Sequence, residues 1–280
     1  MHIRNMLSSD IDFALGLAMA EGWTSTRSDF EELVLFDPNG CFIAEMSSKP
    51  VGMVCSISYG TFGFVGNLIV RPEYRGEGRG FDLMEHAMDY LQSRATSVVM
   101  LDAVPKAVSL YECLGFEVVC RSLRLAGSVE PKSSPRMHQM DEKNLKQVLS
   151  LDQELFGGDR SLFLKKSLEK NPDLSLVCES ENEIVGFMMG SRRHGHVRLA
   201  PWALSGFPGL AQEMLRAFAR KTGSATIRVG VLEKNENAVR LLKNYGFHKQ
   251  SHSWRMVKGI SPDAVHLADG LYAIGSPMRG

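Results

Sequence analysis

One short stretch of the chain combines backbone freedom with positive charge in a way that suits anion binding. It runs from Val70 to Gly80, reads VRPEYRGEGRG, and ends with glycines on alternate positions beside two arginines. Glycines allow successive backbone N–H groups to point into one concavity. The helix-like run that follows adds the start of a helix, which attracts negative charge. The pattern therefore predicts a turn that binds a phosphate or a pyrophosphate.

Two familiar phosphate-binding turns do not match this stretch. A Walker loop needs Gly-Lys-Ser or Gly-Lys-Thr, and neither follows here. The letters RGEGRG also lack the GxGxxG spacing of a dinucleotide-binding turn.

The stretch LIVRPEYRGEGRG resembles the signature of the GNAT acyltransferase superfamily. That signature is an Arg/Gln-x-x-Gly-x-Gly/Ala turn after a strand that often reads Leu-x-Val-x-Pro. Further on, LDAVP and LYECLGF resemble the second signature of the family, in which an aromatic residue precedes Gly-Phe by four positions. The two motifs stand in the family's order and at its distance, so the resemblance covers the whole N-terminal half.

The resemblance implies a site for acetyl-CoA as co-substrate. The backbone of Leu68, Ile69 and Val70 would pair with the pantetheine arm like an added strand. The pyrophosphate would lie on the turn formed by Arg75, Gly76, Glu77, Gly78, Arg79 and Gly80. Tyr111 falls where the family often places the residue that protonates the departing thiolate, and a phenol with a pKa of about 10 suits that step. The alternative for Tyr111 is a helix residue that covers the core.

The acceptor side is less defined by sequence. Many relatives carry a glutamate that serves as the general base on the strand before the loop, but Phe64–Asn67 here contains no carboxylate. The general base is left open between water, Glu21 and a residue of the second half. Glu21 and Trp23 lie where the family builds its acceptor pocket, so we predict them as substrate-site residues. The alternatives are a helix-end charge and a core aromatic.

The chain repeats itself over a long period. LYECLGFEVV resembles LLKNYGFHKQ, and FIAEMSSKPVGMV resembles LVCESENEIVGFM, so that Gly115 matches Gly246 and Gly52 matches Gly186. Such self-similarity indicates a duplicated domain. We predict an α/β (α+β) protein of two tandem GNAT-like domains, each a mixed β-sheet flanked by helices. The predicted boundaries are an N-terminal domain at 1–128, a linker at 129–135 and a C-terminal domain at 136–280.

The second copy has lost the features of the phosphate turn. Gly206 and Pro208 replace Arg75 and Glu77, and proline has no N–H to donate. Leu242 replaces Tyr111. We therefore predict a degenerate second domain that shapes the acceptor pocket or serves the structure.

Composition limits the remaining classes. Lys+Arg and Asp+Glu number 32 each, which argues against a general binder of nucleic acid or membrane surfaces. Five cysteines without a CxxC pair predict a reduced, cytoplasmic protein without a metal site. A basic cluster at Arg192–Arg198 is either a solvated hairpin or a contact for an acidic acceptor or for the adenosine phosphate.

The favoured function is therefore an N-acetyltransferase that moves an acetyl group from acetyl-CoA to the primary amine of a small molecule or peptide. The alternative is a non-catalytic acyl-CoA sensor or scaffold, which the missing strand glutamate favours. The amine, a preference for larger acyl groups and the oligomeric state are left open.

Overall fold

A computed structural model describes residues 1–280 and divides the chain into two compact units. Unit 1 consists of Met1–Val118, Met256–Asp263 and Met278–Gly280. Unit 2 consists of Val119–Arg255 and Ala264–Pro277.

The strands of unit 1 form a mixed sheet in the order β1-β2-β3-β4-β5. They are β1 (His2–Asn5), β2 (Cys41–Met46), β3 (Lys49–Ser58), β4 (Gly63–Val70) and β5 (Val99–Ala103). The first three neighbouring pairs are antiparallel, and β4 pairs with β5 in parallel. The helices are α1 (Ile11–Ala20), α2 (Arg27–Phe36), α3 (Arg79–Ser93) and α4 (Val108–Cys113).

Helix α3 shows why this sequence folds as it does. Its buried residues are Leu83, Met84, Ala87 and Leu91, which recur at helical spacing and form one apolar face. That face packs on the sheet, because Leu83 lies beside Gly52 of β3 and Leu91 beside Gly63 of β4. The helix that follows the phosphate turn is therefore held firmly against the strand that precedes it.

Unit 2 repeats the arrangement. Its strands are β6 (Glu117–Gly127), β7 (Met137–Gln139), β8 (Leu176–Ser180), β9 (Glu183–Arg193), β10 (His196–Leu204), β11 (Thr226–Leu232), β12 (His248–Lys258) and β13 (Leu271–Ala273). Its helices are α5 (Glu142–Phe156), α6 (Ser161–Lys170), α7 (Ala211–Thr222) and α8 (Glu236–Asn244). β10 pairs antiparallel with β9 and parallel with β11, as β4 does with β3 and β5. The predicted mixed sheet flanked by helices is confirmed in both copies.

The compact units do not follow the sequence repeat at every point. Val119–Gly127 precedes the predicted boundary at residue 128, but it belongs to unit 2, where β6 pairs antiparallel with β11. The end of β12, from Met256, belongs to unit 1. The domain boundaries predicted from the sequence describe the two repeats, not the compact units, and they stay a prediction.

Candidate active site

The centre of unit 1 has a gap where two neighbouring strands separate. β4 pairs with β5 only over Gly63–Val65, opposite Val99–Leu101. Just beyond, β4 contains a bulge. Met53 of β3 pairs with Ile69 of β4, and Cys55 of β3 pairs with Gly66 of β4. Two β4 residues therefore lie opposite the single β3 residue Val54. The edge of Leu68–Val70 that faces β5 is consequently free of a neighbouring strand.

β4 leads directly into the predicted phosphate turn. Gly76 and Gly78 have φ values of +85° and +79°, a left-handed conformation that favours glycine. A side chain at either position would meet open space, so the backbone conformation alone calls for glycine here. Gly78 is the N-cap of α3, and no side chain caps that helix. The first N–H groups of α3 therefore remain available to a ligand.

Both arginines of the turn bond back onto unit 1. Nε of Arg75 donates to the carbonyl of Val70 at 2.7 Å, and its Nη2 pairs with the carboxylate of Glu21. Arg79 donates to the carbonyl of Tyr74 at 3.0 Å and pairs with Glu77 at 2.7 Å. Arg79 also holds the pKa of the Glu77 carboxyl below its usual value. The two guanidinium groups thus brace the turn while keeping positive charge beside it.

Glu21 connects three elements of unit 1. It caps the end of α1, pairs with Arg75 of the turn, and accepts from Nζ of Lys106 at 2.8 Å. Lys106 belongs to the 3₁₀ turn that leads into α4. Lys106, followed by Arg75, holds the pKa of the Glu21 carboxyl below its usual value. A carboxylate held in this way is a weak proton acceptor, so the geometry does not favour Glu21 as the general base.

Trp23 lies two residues beyond Glu21 in the connection between α1 and α2. Its backbone N–H donates to the carbonyl of Ala18 at 3.0 Å, and its side chain is half-buried. The preceding Gly22 has a φ of +74° and turns the chain at this point. Glu21 and Trp23 therefore stand on the loop that follows α1, next to the phosphate turn in the case of Glu21.

Tyr111 lies on α4 and is buried, with 8% of its surface exposed. Its ring packs edge-to-face against Phe116, with the ring centres 6.1 Å apart. Burial raises the pKa of the Tyr111 phenol, which is therefore protonated at neutral pH. A Cδ of the adjacent Leu110 lies 3.8 Å from where a Cβ on Gly80 would stand, which brings α4 close to the start of α3.

Asn67 is a further polar group at the gap, and the sequence analysis did not single it out. It is 4% exposed, and neither its Oδ1 nor its Nδ2 has a hydrogen-bond partner. Its φ is +54°, which asparagine tolerates better than most residues. An unsatisfied buried amide costs about 1–3 kcal/mol. The one available sequence signal was an amide inside the otherwise apolar strand FVGNLIV.

The second copy fills the equivalent gap with its own chain. Pairing between β10 and β11 ends at Leu199, which corresponds to Val65 in the repeat. β10 then pairs with β13 through Trp202 and Ala203, which correspond to Leu68 and Ile69. Because the other edge of β10 pairs with β9, β13 occupies the edge that stays free in unit 1.

A buried side chain fixes β13 in this position. Nδ2 of Asn235 donates to the carbonyls of Asp269 and Leu271 at 2.9 Å each, while its Oδ1 caps α8. The turn before α7 is also altered, since Pro208–Leu210 forms a 3₁₀ turn. Leu242, the counterpart of Tyr111, is fully buried.

The basic cluster lies on the hairpin between β9 and β10. Arg192 pairs with Asp173 at 2.5 Å, with both side chains more than half exposed. Nδ1 of His196 lies 3.1 Å from the carbonyl of His194. Burial lowers the pKa of His196. Arg192 therefore pairs with the turn before β8, outside the hairpin, whereas the contact of His196 is local to the hairpin.

None of the helices has both the length and the apolar character needed to cross a membrane. No group of three or more His, Cys, Asp or Glu side chains is arranged to hold a metal ion.

Comparison with known families and proteins assigns both halves of the chain. Residues 12–116 match the model described as acetyltransferase (GNAT) family, and residues 148–268 match the one described as acetyltransferase (GNAT) domain. An uncharacterized N-acetyltransferase of Bacillus subtilis is 23% identical over 248 residues, covering 84% of this chain and 83% of that protein.

Solved structures share the fold over nearly the whole chain. A putative acetyltransferase from Pyrococcus horikoshii has a TM-score of 0.83 and 22% identity, covering 100% of this chain and 95% of that one. A tandem GNAT protein from the clavulanic acid biosynthesis pathway has a TM-score of 0.64 and 12% identity, covering 93% of this chain and 99% of that one.

The two family matches lie one after the other along the chain, in agreement with the strand and helix arrangement that repeats in the two units and with the motifs of the phosphate turn. The chain therefore belongs to the GNAT superfamily, with two GNAT domains in tandem, and is an acyltransferase enzyme.

Proposed function

We propose that unit 1 transfers an acetyl group from acetyl-CoA to a primary amine of a small molecule or peptide. The observation that carries the proposal is the gap beside β4. A free strand edge at Leu68–Val70 continues directly into a glycine turn at the start of α3. An extended arm with a pyrophosphate at one end matches this combination of strand edge and anion site.

The second copy supports the strand-pairing part of the proposal. There, β13 pairs with the residues that correspond to Leu68 and Ile69. The same edge of this fold thus accepts an extended backbone in one copy, and the amide groups of a pantetheine arm offer similar hydrogen bonds. Because β13 already occupies that edge in unit 2, we propose one acetyl-CoA site per chain.

The pyrophosphate would be held mainly by backbone N–H groups of Gly76–Gly80. Arg75 and Arg79 contribute positive charge and keep the turn in shape, since their guanidinium groups already bond to Val70 and Tyr74. Acetyl-CoA supplies the activated acyl group as a thioester. The fit of the site to this molecule thus rests on the free edge and the uncapped helix start.

The reaction forms a C–N bond and breaks the C–S bond of the thioester. Tyr111 donates its phenolic proton to the sulfur as negative charge develops there. A phenol is protonated at neutral pH without any shift, and burial, which raises the pKa of Tyr111, makes it a weaker acid than a free tyrosine. The amine gives up a proton as it attacks. Since Glu21 is paired with Arg75 and Lys106, we assign proton removal to water at the site.

On the acceptor side, Glu21 and Trp23 would shape the pocket through the loop after α1. Glu21 acts there as a positioning residue, because it fixes the phosphate turn and the entry to α4 at once. Trp23 would provide an apolar wall. Asn67 would supply the one polar side chain at the bulge, in place of the carboxylate that β4 lacks.

Calorimetry with acetyl-CoA tests the proposal in the wild type and in Gly78→Pro. Proline cannot adopt the φ of +79° and removes a donor N–H, so we expect binding to be lost. Gly209→Pro is the matched control, because Gly209 is the counterpart of Gly78 and lies in a turn that already contains proline. We expect this control to bind as the wild type does.

The stoichiometry separates the remaining hypotheses. One acetyl-CoA per chain, lost only in Gly78→Pro, supports the proposal and justifies an amine screen by CoA release. Two per chain would contradict the closed gap in unit 2. Tight binding with no CoA release for any amine would favour an acyl-CoA sensor, and no binding would overturn the assignment of acetyl-CoA.

A further inference from the structure

The last residues of the chain pack onto the strand at the centre of the site. The Met278–Gly280 segment belongs to unit 1, although it follows the second copy in the sequence. A Cβ built on Gly66 would stand 2.3 Å from the carbonyl oxygen of Met278. Only glycine at position 66 therefore permits this contact, and no other residue fits without displacing the segment.

Gly66 lies at the point where β4 leaves β5. The last residue of β4 that pairs with β5 is Val65, and Asn67, with its unpartnered amide, follows Gly66 directly. β4 continues from here toward the phosphate turn, so positions upstream of Val70 lie further from the pyrophosphate end of an arm laid along this edge. The segment therefore covers β4 at the end where the acyl group would be.

The same segment also contacts the loop that carries the predicted acceptor residues. Oγ of Ser25 donates to the sulfur of Met278 at 3.4 Å. Ser25 follows Trp23 by two positions, in the connection between α1 and α2. Met278 is 7% exposed, and it is buried where its backbone meets β4 and its sulfur meets this loop.

Two hydrogen bonds hold the segment firmly in unit 1. The hydroxyl of Tyr59 donates to the carbonyl of Arg279 at 2.6 Å. Nη1 of Arg279 pairs with Oε2 of Glu32 at 2.8 Å, with side-chain exposures of 16% and 12%. A pair shielded to this degree holds better than a solvent-exposed one. The segment is thus a fixed part of the unit.

We propose that the Met278–Gly280 segment forms one wall of the acceptor pocket and that Met278 determines which amines fit. This inference rests on the proposed function of unit 1. A methionine side chain is apolar and unbranched, and it fills an irregular gap well. Met278 therefore limits the bulk of the acceptor near the acyl group and keeps water away from it.

The test compares wild type, Met278→Ala and Met19→Ala. Met19→Ala is the matched control, because Met19 is also in unit 1 but is exposed on α1. CoA release is followed with propylamine and with tryptamine, and also without any amine. Calorimetry with acetyl-CoA and thermal unfolding are run on all three proteins.

We expect Met278→Ala to raise the preference for tryptamine over propylamine by at least about ten-fold, because a single methylene in an apolar pocket already has an effect of that size and this change removes three heavy atoms. CoA release without amine should also rise several-fold, since the smaller side chain admits water. The acetyl-CoA Kd should stay within two-fold of wild type, and Met19→Ala should match the wild type throughout.

Glu32→Gln provides a second variant that leaves the segment's sequence intact. It weakens the pair with Arg279, so the same shift in amine preference should appear in weaker form. If both amine preference and release without amine are unchanged in Met278→Ala while acetyl-CoA binds normally, the pocket wall is wrong and the proposed function stands. If acetyl-CoA does not bind to the wild type, the proposed function is wrong. The proposed role of Met278, which depends on that function, is then wrong as well.

Discussion

Arg75 is bonded to the carbonyl of Val70 through Nε and to the carboxylate of Glu21 through Nη2. One side chain therefore joins the end of β4, the phosphate turn and the end of α1. An arginine in a phosphate-binding turn is often regarded as a ligand for the phosphate. In this protein the same guanidinium is already used to shape the turn, and its charge acts from there.

The first prediction is that Arg75→Lys will weaken acetyl-CoA binding about as much as Arg75→Ala, by roughly ten-fold, or about 1.4 kcal/mol. Lysine keeps the charge, but a single ammonium group does not reproduce the two directed bonds of the planar guanidinium. Calorimetry measures both variants. Arg27→Lys is the control, because Arg27 pairs with Asp12 on the exposed surface and should have no effect.

A lysine variant that binds like the wild type would contradict this prediction. In that case charge alone would account for the contribution of Arg75, and the bonds to Val70 and Glu21 would be incidental to binding.

The second prediction concerns pH. Lys106 and Arg75 lower the pKa of the Glu21 carboxyl from its usual 4.5. A lowered carboxyl pKa adds stability above the unfolded value, and this stability is lost as the pH falls through the folded value. Wild type should therefore have a higher Tm than Glu21→Gln at pH 7, and the difference should shrink once the pH is below about 4.5.

Thermal unfolding of both proteins between pH 7 and pH 3.5 measures this difference. A Tm difference that grows toward low pH would contradict this prediction. It would show that the ion pairs of Glu21 with Arg75 and Lys106 do not cause the difference. Turnover should show no titration of Glu21 between pH 5 and pH 9, since the carboxylate is ionised throughout that range.

The third prediction is that Tyr111→Phe will lower kcat by about 10²–10⁴, which is the usual range for loss of a general acid or base. The acetyl-CoA Kd should change less than two-fold, because the edge-to-face contact with Phe116 is kept. Tyr245→Phe is the matched control, since Tyr245 precedes the Gly-Phe pair of the second copy. Unchanged turnover in Tyr111→Phe would leave Tyr111 a core residue.

The fourth prediction is that Asn67→Gly will fold as well as wild type but turn over at least ten-fold more slowly. Glycine adopts the φ of +54° freely, and the change removes a buried amide without partners. A loss of turnover at constant Tm would then mean that the amide contacts a reacting group.

Asn182→Gly is the control for the fourth prediction. Asn182 also has a left-handed backbone, with a φ of +66°, but it lies in the exposed turn between β8 and β9. Both its Tm and its turnover should match the wild type. Equal turnover in Asn67→Gly and wild type would show that the buried amide serves only the bulge.

Features set by local chemistry could be predicted from the sequence. The glycines at 76 and 78 are needed by the backbone of the turn itself, and the apolar spacing of α3 follows from helical geometry. The paired motifs and the repeat then indicated the GNAT superfamily and its mixed sheet. Each of these signals depends on residues close together in the chain, where spacing and conformation are directly linked.

Only the tertiary structure decided how distant parts of the chain complete the site. The pair between Arg75 and Glu21 joins two loops, β13 fills the gap of the second copy, and Met278 reaches Gly66 from the other end of the sequence. No periodicity records such contacts, because either partner alone has the pattern of an ordinary charge, strand or tail. The sequence alone determined the anion-binding turn, the repeat and the family. The fold decided which residues hold the turn in place, which copy keeps a free strand edge and which segment packs onto that strand.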